Sequence, residues 1–129
     1  MKNKLILDYS KWRCGGNSVN KIGESGTEML NEQGYMCCLG QFSLQLNKEI
    51  EMKDIYGTFG PSKLKAIPIL NEPAQTIERI GMNPFENSYI SQKAIVINDD
   101  EHTTPEQKIE LLKELFATVD CEIEVINKP

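Results

Sequence analysis

Long apolar runs and an excess of positive charge are what this sequence lacks, and it has little histidine. No apolar stretch approaches the roughly 18 residues that a membrane-crossing helix needs, and the earliest, Leu5-Ile6-Leu7, ends at Asp8. Neither a secretory leader nor a membrane anchor is expected, and a soluble protein is. A single histidine, His102, is the only imidazole available as a base or metal ligand. The 14 lysines and arginines are outnumbered by 19 acidic residues, a net charge of −5. That balance argues against binding extended nucleic acid, which needs many phosphate contacts, but leaves room for one small anion. Internal repeats, low-complexity tracts and a second domain are missing too, so the 129 residues are expected to form a single domain spanning 1–129.

The cysteines are few and badly spaced for a metal. Cys14, Cys37, Cys38 and His102 could formally supply four ligands, but adjacent Cys37-Cys38 lacks the spacer of a zinc knuckle. In the absence of a leader, reduced and mostly buried thiols are the expectation.

The charge that is present is unevenly placed. Asp99 to Pro129 holds nine acidic residues against three lysines, whereas residues 1–21 hold five cations against Asp8 alone. Lys4 to Tyr9 reads as a short strand, and residues 13–26, rich in Gly, Asn and Ser, as a long exposed loop. Asn31-Glu32-Gln33-Gly34 reads as a hairpin turn in which Gly34 supplies a positive φ. Cys38, Leu39, Phe42 and Leu46 recur at helical spacing and predict a buried helix over 37–47. Short helical turns are expected at 61–66 and 73–80. Ile90, Ala94 and Ile97 share one helical face, although Ala94-Ile95-Val96-Ile97 would also suit a strand.

Thr104-Pro105-Glu106-Gln107 carries the strongest local signal, an N-cap, a proline at the first helical position and a capping-box glutamine. The helix it opens is expected to run to about Ala117, with Ile109, Leu112 and Phe116 as its core face, Leu115 adjacent, and Glu106, Lys108, Glu110, Lys113 and Glu114 in water. Cys121 to Val125 alternates as a half-buried strand should. The expected architecture is α+β, with a small, mostly antiparallel sheet joining the N- and C-terminal strands and packed with several helices.

Three places could carry chemistry. Lys11-Trp12-Arg13 followed by Gly15-Gly16 combines charge, a stacking ring and a glycine turn, which suits a phosphate or nucleotide, although the spacing matches no phosphate loop. The alternative is that Trp12 plugs the core while Lys11 and Arg13 are solvated. Cys37 and Cys38 precede a helix whose dipole would activate a thiol, but they also sit among Met36, Leu39 and Phe42 as core residues would. Asn98-Asp99-Asp100-Glu101-His102 lacks the ligand spacing of a calcium loop and reads either as a solvated cap or as a polar ligand-facing corner using Asn98 and Asp99.

Lys11-Trp12, Leu30-Asn31, Gly34-Tyr35-Met36-Cys37-Cys38-Leu39-Gly40, Pro61-Ser62, Asn98-Asp99-Asp100, Leu115-Phe116 and Ile123-Glu124-Val125 follow one another in an order that resembles a family of small phage and prophage proteins without an established activity. The resemblance implies an accessory protein of the bacterial cytoplasm that blunts host defence. The function expected from it is non-catalytic sequestration of a small anionic, nucleotide-like signal, such as a cyclic or ADP-ribose-type nucleotide. Lys11, Trp12, Arg13, Gly15, Gly16, Cys37, Gln41, Asn98 and Asp99 are the expected ligand-facing residues. No cofactor, metal or catalytic residue is expected, and a homodimer or higher homo-oligomer would let a pocket form between subunits. Two alternatives stand beside it. One is a protein-protein inhibitor using the acidic C-terminal region, Glu110, Glu114, Glu122 and Glu124. The other is a cysteine-dependent enzyme.

Overall fold

The computed structural model describes residues 3–13, 29–30, 34–57, 67–74, 89–100 and 102–129. The chain enters as strand β1 (Asn3–Asp8), makes a 3-10 turn over Tyr9–Lys11, and later forms α1 (Cys38–Leu46), α2 (Met52–Ile55), α3 (Ile90–Asp99), α4 (Pro105–Ala117) and strand β2 (Cys121–Ile126). Among the described residues the sheet has only these two strands, and they are parallel, with Leu5 opposite Ile123 and Leu7 opposite Val125. The antiparallel sheet expected from sequence is thus corrected, while the mix of helices and a small sheet remains compatible with an α+β class. Alternating burial reports that a segment is a strand but not its direction. Parallel strands need a crossover connection, and the helical block between β1 and β2 supplies one.

Local chemistry explains the elements. At α4, Thr104 Oγ1 accepts from Gln107 N at 3.2 Å while Gln107 Oε1 accepts from Thr104 N at 2.9 Å, which satisfies two amides at the helix start. α3 takes the helical option, burying Ile90, Ala94 and Ile97. α2 was not anticipated in a segment that looked irregular; Asp54 Oδ2 accepts from Glu51 N at 2.9 Å and anchors it. β2 is bounded by two left-handed residues, Asp120 (φ 60°) and Asn127 (φ 58°), residue types that tolerate that conformation. Gly34 has the expected positive φ of 84°, but the arms of the expected hairpin pair elsewhere, Leu30 bridging Tyr56 and Met36 bridging Trp12. The turn at 61–66 lies outside the described residues, as does most of 73–80, where Pro73 bridges Tyr89.

The core joins Leu5 and Leu7 of β1, Leu39 and Phe42 of α1, the inner faces of α3 and α4, and Cys121 and Ile123 of β2. Phe42 meets Phe116 edge to face, with centroids 5.1 Å apart. Gly40 is required where α1 crosses the chain at Met29, because a Cβ there would fall 1.9 Å from the Met29 carbonyl oxygen. Lys108 departs from the reading that put it in water. It is 2% exposed, and its Nζ donates to the carbonyl oxygens of Ile97 (3.1 Å), Asn98 (3.0 Å) and Asp100. An ammonium with three donors closes the C-terminus of α3, where carbonyls lack helical partners and the dipole favours a cation.

The outer edge of β1 is closed by side chains. Gln45 accepts from Ile6 N at 2.7 Å and donates to Ile6 O at 2.7 Å, and Gln41 does the same for Asp8 at 2.7 and 3.1 Å. Two residues four apart on a helix rise about 6 Å, and two residues two apart on a strand rise about 6.6 Å, so each carboxamide meets one outward-facing peptide group. Gln41, expected to face a ligand, is spent on this strand edge. Replacing Gln41 with Met should keep the volume but strand both polar groups of Asp8, lowering stability by about 1–3 kcal/mol in urea unfolding.

Candidate functional site

The structure gathers most of the residues singled out from sequence around the side chain of Asn98, at the C-terminal end of α3. Asn98 is 1% exposed. Its Oδ1 accepts from Trp12 Nε1 at 2.7 Å and from Cys38 N at 3.2 Å. Its Nδ2 donates to Arg13 O at 3.0 Å and to Asp99 Oδ1 at 3.0 Å. A carboxamide offers two acceptor lone pairs and two donor hydrogens, and all four are used. The orientation is dictated chemically, since the two groups facing Oδ1 are donors and the two facing Nδ2 are acceptors.

Each partner is placed by backbone structure. Arg13 N donates to Met36 O at 2.9 Å and Met36 N donates to Lys11 O at 2.8 Å, so the Lys11-Trp12-Arg13 segment is laced to the chain leading into α1. Cys37, the N-cap of α1, makes no side-chain cap, and Asn98 Oδ1 receives the amide of Cys38 in its place. Trp12 is 8% exposed and stacks edge to face with Tyr9 at 5.7 Å. The Arg13 guanidinium carbon lies 4.0 Å from the centroid of the Tyr35 ring, a cation–π contact at the rim. Lys11 is exposed. Gly15 and Gly16 lie outside the described residues, and Gln41 belongs to the β1 edge.

This centre is chemically quiet. Trp12 and the Cys37-Cys38 start of α1 meet at Asn98, where the polar atoms of Trp12, Asn98 and Cys38 N face one another. Burial, reinforced by the nearby charge of Asp99, raises the Cys37 thiol to about 12 against the opposing backbone N–H groups of Gly40 and Leu39. A thiol held that high is not a nucleophile at neutral pH. His102 lies in the turn between α3 and α4, where its N–H donates to Asp100 Oδ1 at 2.9 Å, and no hydrogen bond joins it to a cysteine among the described residues. Among the described residues, no group of three or more His, Cys, Asp or Glu side chains is positioned to hold a metal ion, and no helix is long and apolar enough to cross a membrane.

A second feature lies on the other side of the core. One stripe of α4, carrying Glu106, Glu110 and Lys113, faces β2 across a groove of ≈ 540 Å³ that is also lined by Glu122 and Glu124. Lys4 and Lys128 reach into it. Lys4 Nζ lies 3.2 Å from Glu124 and Lys128 Nζ lies 3.7 Å from Glu106, both exposed pairs of small energetic weight. Of the acidic residues anticipated as one face, Glu110, Glu122 and Glu124 do share this groove, interleaved with lysines.

Sequence reasoning missed Lys108, Gln45 and Tyr35. Lys108 sits at helical spacing from Leu111, Leu112 and Leu115, and that shared stripe was the signal that it points inward. Gln41 and Gln45 at a four-residue spacing were the sign of paired carboxamides. Nothing in the sequence ties Tyr35 to Arg13.

Asn98→Ala should strand the Trp12 indole N–H and the Cys38 amide together, destabilising the fold by about 3 kcal/mol or more. Its emission should shift to the red, a clean readout because Trp12 is the only tryptophan. The Cys37 thiol sets a pH dependence of the opposite sense to acid denaturation. The folded state keeps its proton to about 12 while a free thiol releases it at 9.0, so stability should be fully present below pH 9 and fall as pH rises through that window. Urea midpoints measured across this range in wild type and Cys37→Ala check it. The chain matches no protein-family model, no curated protein and no solved structure.

Proposed function

We propose that the chain is a non-catalytic binding protein that masks a basic protein partner with the surface built by α4 and β2. In the phage setting implied by the resemblance, that partner is a host defence factor. The observation that carries the reading is the groove in which Glu106, Glu110, Glu122 and Glu124 converge. With Lys4, Lys113 and Lys128 in the same lining the groove is net acidic by one charge, and acidic side chains at a rim act more on association rate and specificity than on raw affinity. The Asn98 cluster weighs against catalysis, since its cysteine is buried and its amide saturated.

Sequestration of a small anion is the second reading, favoured by exposed Lys11 and, two residues on, by the Arg13 guanidinium over Tyr35. A nucleotide could engage that cationic rim, but stacking on Trp12 and base recognition by Asn98 would require opening a packed, fully bonded cluster.

One pair of variants separates the readings. Glu110→Gln/Glu122→Gln/Glu124→Gln should abolish copurification of a basic partner from bacterial cells, and the wild-type complex should dissociate as salt rises. Lys11→Ala/Arg13→Ala should leave that complex intact. Native mass spectrometry with a panel of cyclic and ADP-ribose-type nucleotides supplies the counter-test. An adduct lost in Arg13→Ala, with the glutamate variant unaffected, would replace the masking reading by the small-ligand one.

A further inference from the structure

The two edges of the sheet are treated differently. On β1, the peptide groups of Ile6 and Asp8 point away from β2 and are taken by Gln45 and Gln41. Because peptide groups alternate along a strand, Leu5 and Leu7 point towards β2, and the bond from Asn3 N to Asp120 O at 3.2 Å belongs to the same series. In a parallel ladder a residue bonds to the two that flank its partner, so the peptide groups of Glu122 and Glu124 point to β1. Those of Ile123 and Val125 therefore point the other way. Among the described residues no strand or side chain pairs with them. The groove runs along this edge, since four consecutive residues, Glu122 to Val125, line it, and consecutive strand residues share a lining only at an edge.

An unpaired edge is a template for another strand, and natural proteins close such edges or charge them. Here one edge is closed by carboxamides and the other is flanked by Glu122 and Glu124. The charge selects the occupant. In a two-fold pairing of β2 with a second copy centred on Ile123, Glu122 would face Glu124 of the other copy, and like charges directly opposite are destabilising. An extended segment with lysine or arginine at alternate positions would instead place cations against Glu122 and Glu124 on one face.

We infer that β2 docks a basic, extended segment of the partner by strand addition along the Ile123–Val125 edge, with Glu122 and Glu124 reading its alternate cationic side chains. This rests on the masking reading above and specifies how that surface is used. Backbone pairing supplies register and affinity, and the flanking carboxylates supply the choice of sequence.

The test uses the full chain and three acetylated, amidated peptides: one alternating lysine and valine, one alternating glutamate and valine, and a lysine-valine peptide with proline at its centre. Binding of the first should slow exchange of the Ile123 and Val125 amides by roughly tenfold, in hydrogen exchange read residue by residue. The glutamate peptide should not bind, the proline peptide should bind at least roughly tenfold more weakly because it lacks a ladder donor, and Glu122→Gln/Glu124→Gln should weaken the lysine peptide while keeping its fold. Equal binding of the proline and lysine peptides, protection elsewhere than Ile123 and Val125, or protection of this edge by concentration-dependent self-association would each overturn strand addition. If a basic partner is lost in the glutamate variant yet these amides stay unprotected, strand addition fails and masking stands. If the glutamate variant behaves as wild type with every basic partner, both fail.

Discussion

The buried carboxamide of Asn98 is the constraint on which the arrangement of the chain depends. A polar group at this depth is tolerable only when every donor and acceptor is matched. Matching four at once brings together the end of the N-terminal segment, the start of α1 and the last turn of α3. Hydrophobic contacts alone would permit small slides among these elements. The bond pattern does not, because shifting any partner by about an ångström or more breaks a bond that nothing else replaces. Lys108 extends the same junction into α4 by binding the backbone oxygen of Asn98 along with those of Ile97 and Asp100. One residue thus anchors three elements through its side chain and backbone, and the fourth element is recruited by a lysine that serves as a helix cap.

The sheet follows from this junction. With α1 held at its N-terminus by Asn98, the next turn carries Gln41 and Gln45 along β1, where they close its edge. With α4 held near its N-terminus by Lys108, its opposite stripe is left to flank β2 and to form the acidic groove. A two-stranded sheet is marginal by itself. It persists here because one edge has side chains in place of a strand and one face has the helices.

What the sequence made legible was whatever local chemistry or periodicity decides. α1, α4 and β2 were read close to their true bounds, since apolar spacing, a capping box and strict alternation are short-range signals, while the segment of α3 was left between helix and strand. Strand direction was not legible, because parallel and antiparallel strands share the same two-residue period. The residues of the Asn98 cluster were named as a group, yet as ligand contacts. Tryptophan, asparagine, arginine and cysteine are the side chains that bind ligands and also those that fill polar cores, and only the count of satisfied bonds separates the two uses. Lys108 was misread because residue type was allowed to outweigh helical position. The groove was anticipated only as an acidic surface, since its form depends on how α4 leans against β2.

The position of Lys108 also bears on which stripe of α4 faces that surface. From Pro105 to the end the chain carries six acidic residues against three lysines, and Lys108, 2% exposed, is withdrawn to close α3. The groove itself is lined by Glu106, Glu110, Glu122 and Glu124 against Lys4, Lys113 and Lys128. Lys4 and Lys128 each lie beside a single carboxylate, in exposed pairs that an incoming cation can displace at little cost. Displacing Lys4 would free Glu124 on β2, and displacing Lys128 would free Glu106 on α4. The interaction that fixes the packing of α3 on α4 thus also fixes which stripe of α4 is turned to β2, namely the one opposite Lys108 that carries Glu106 and Glu110.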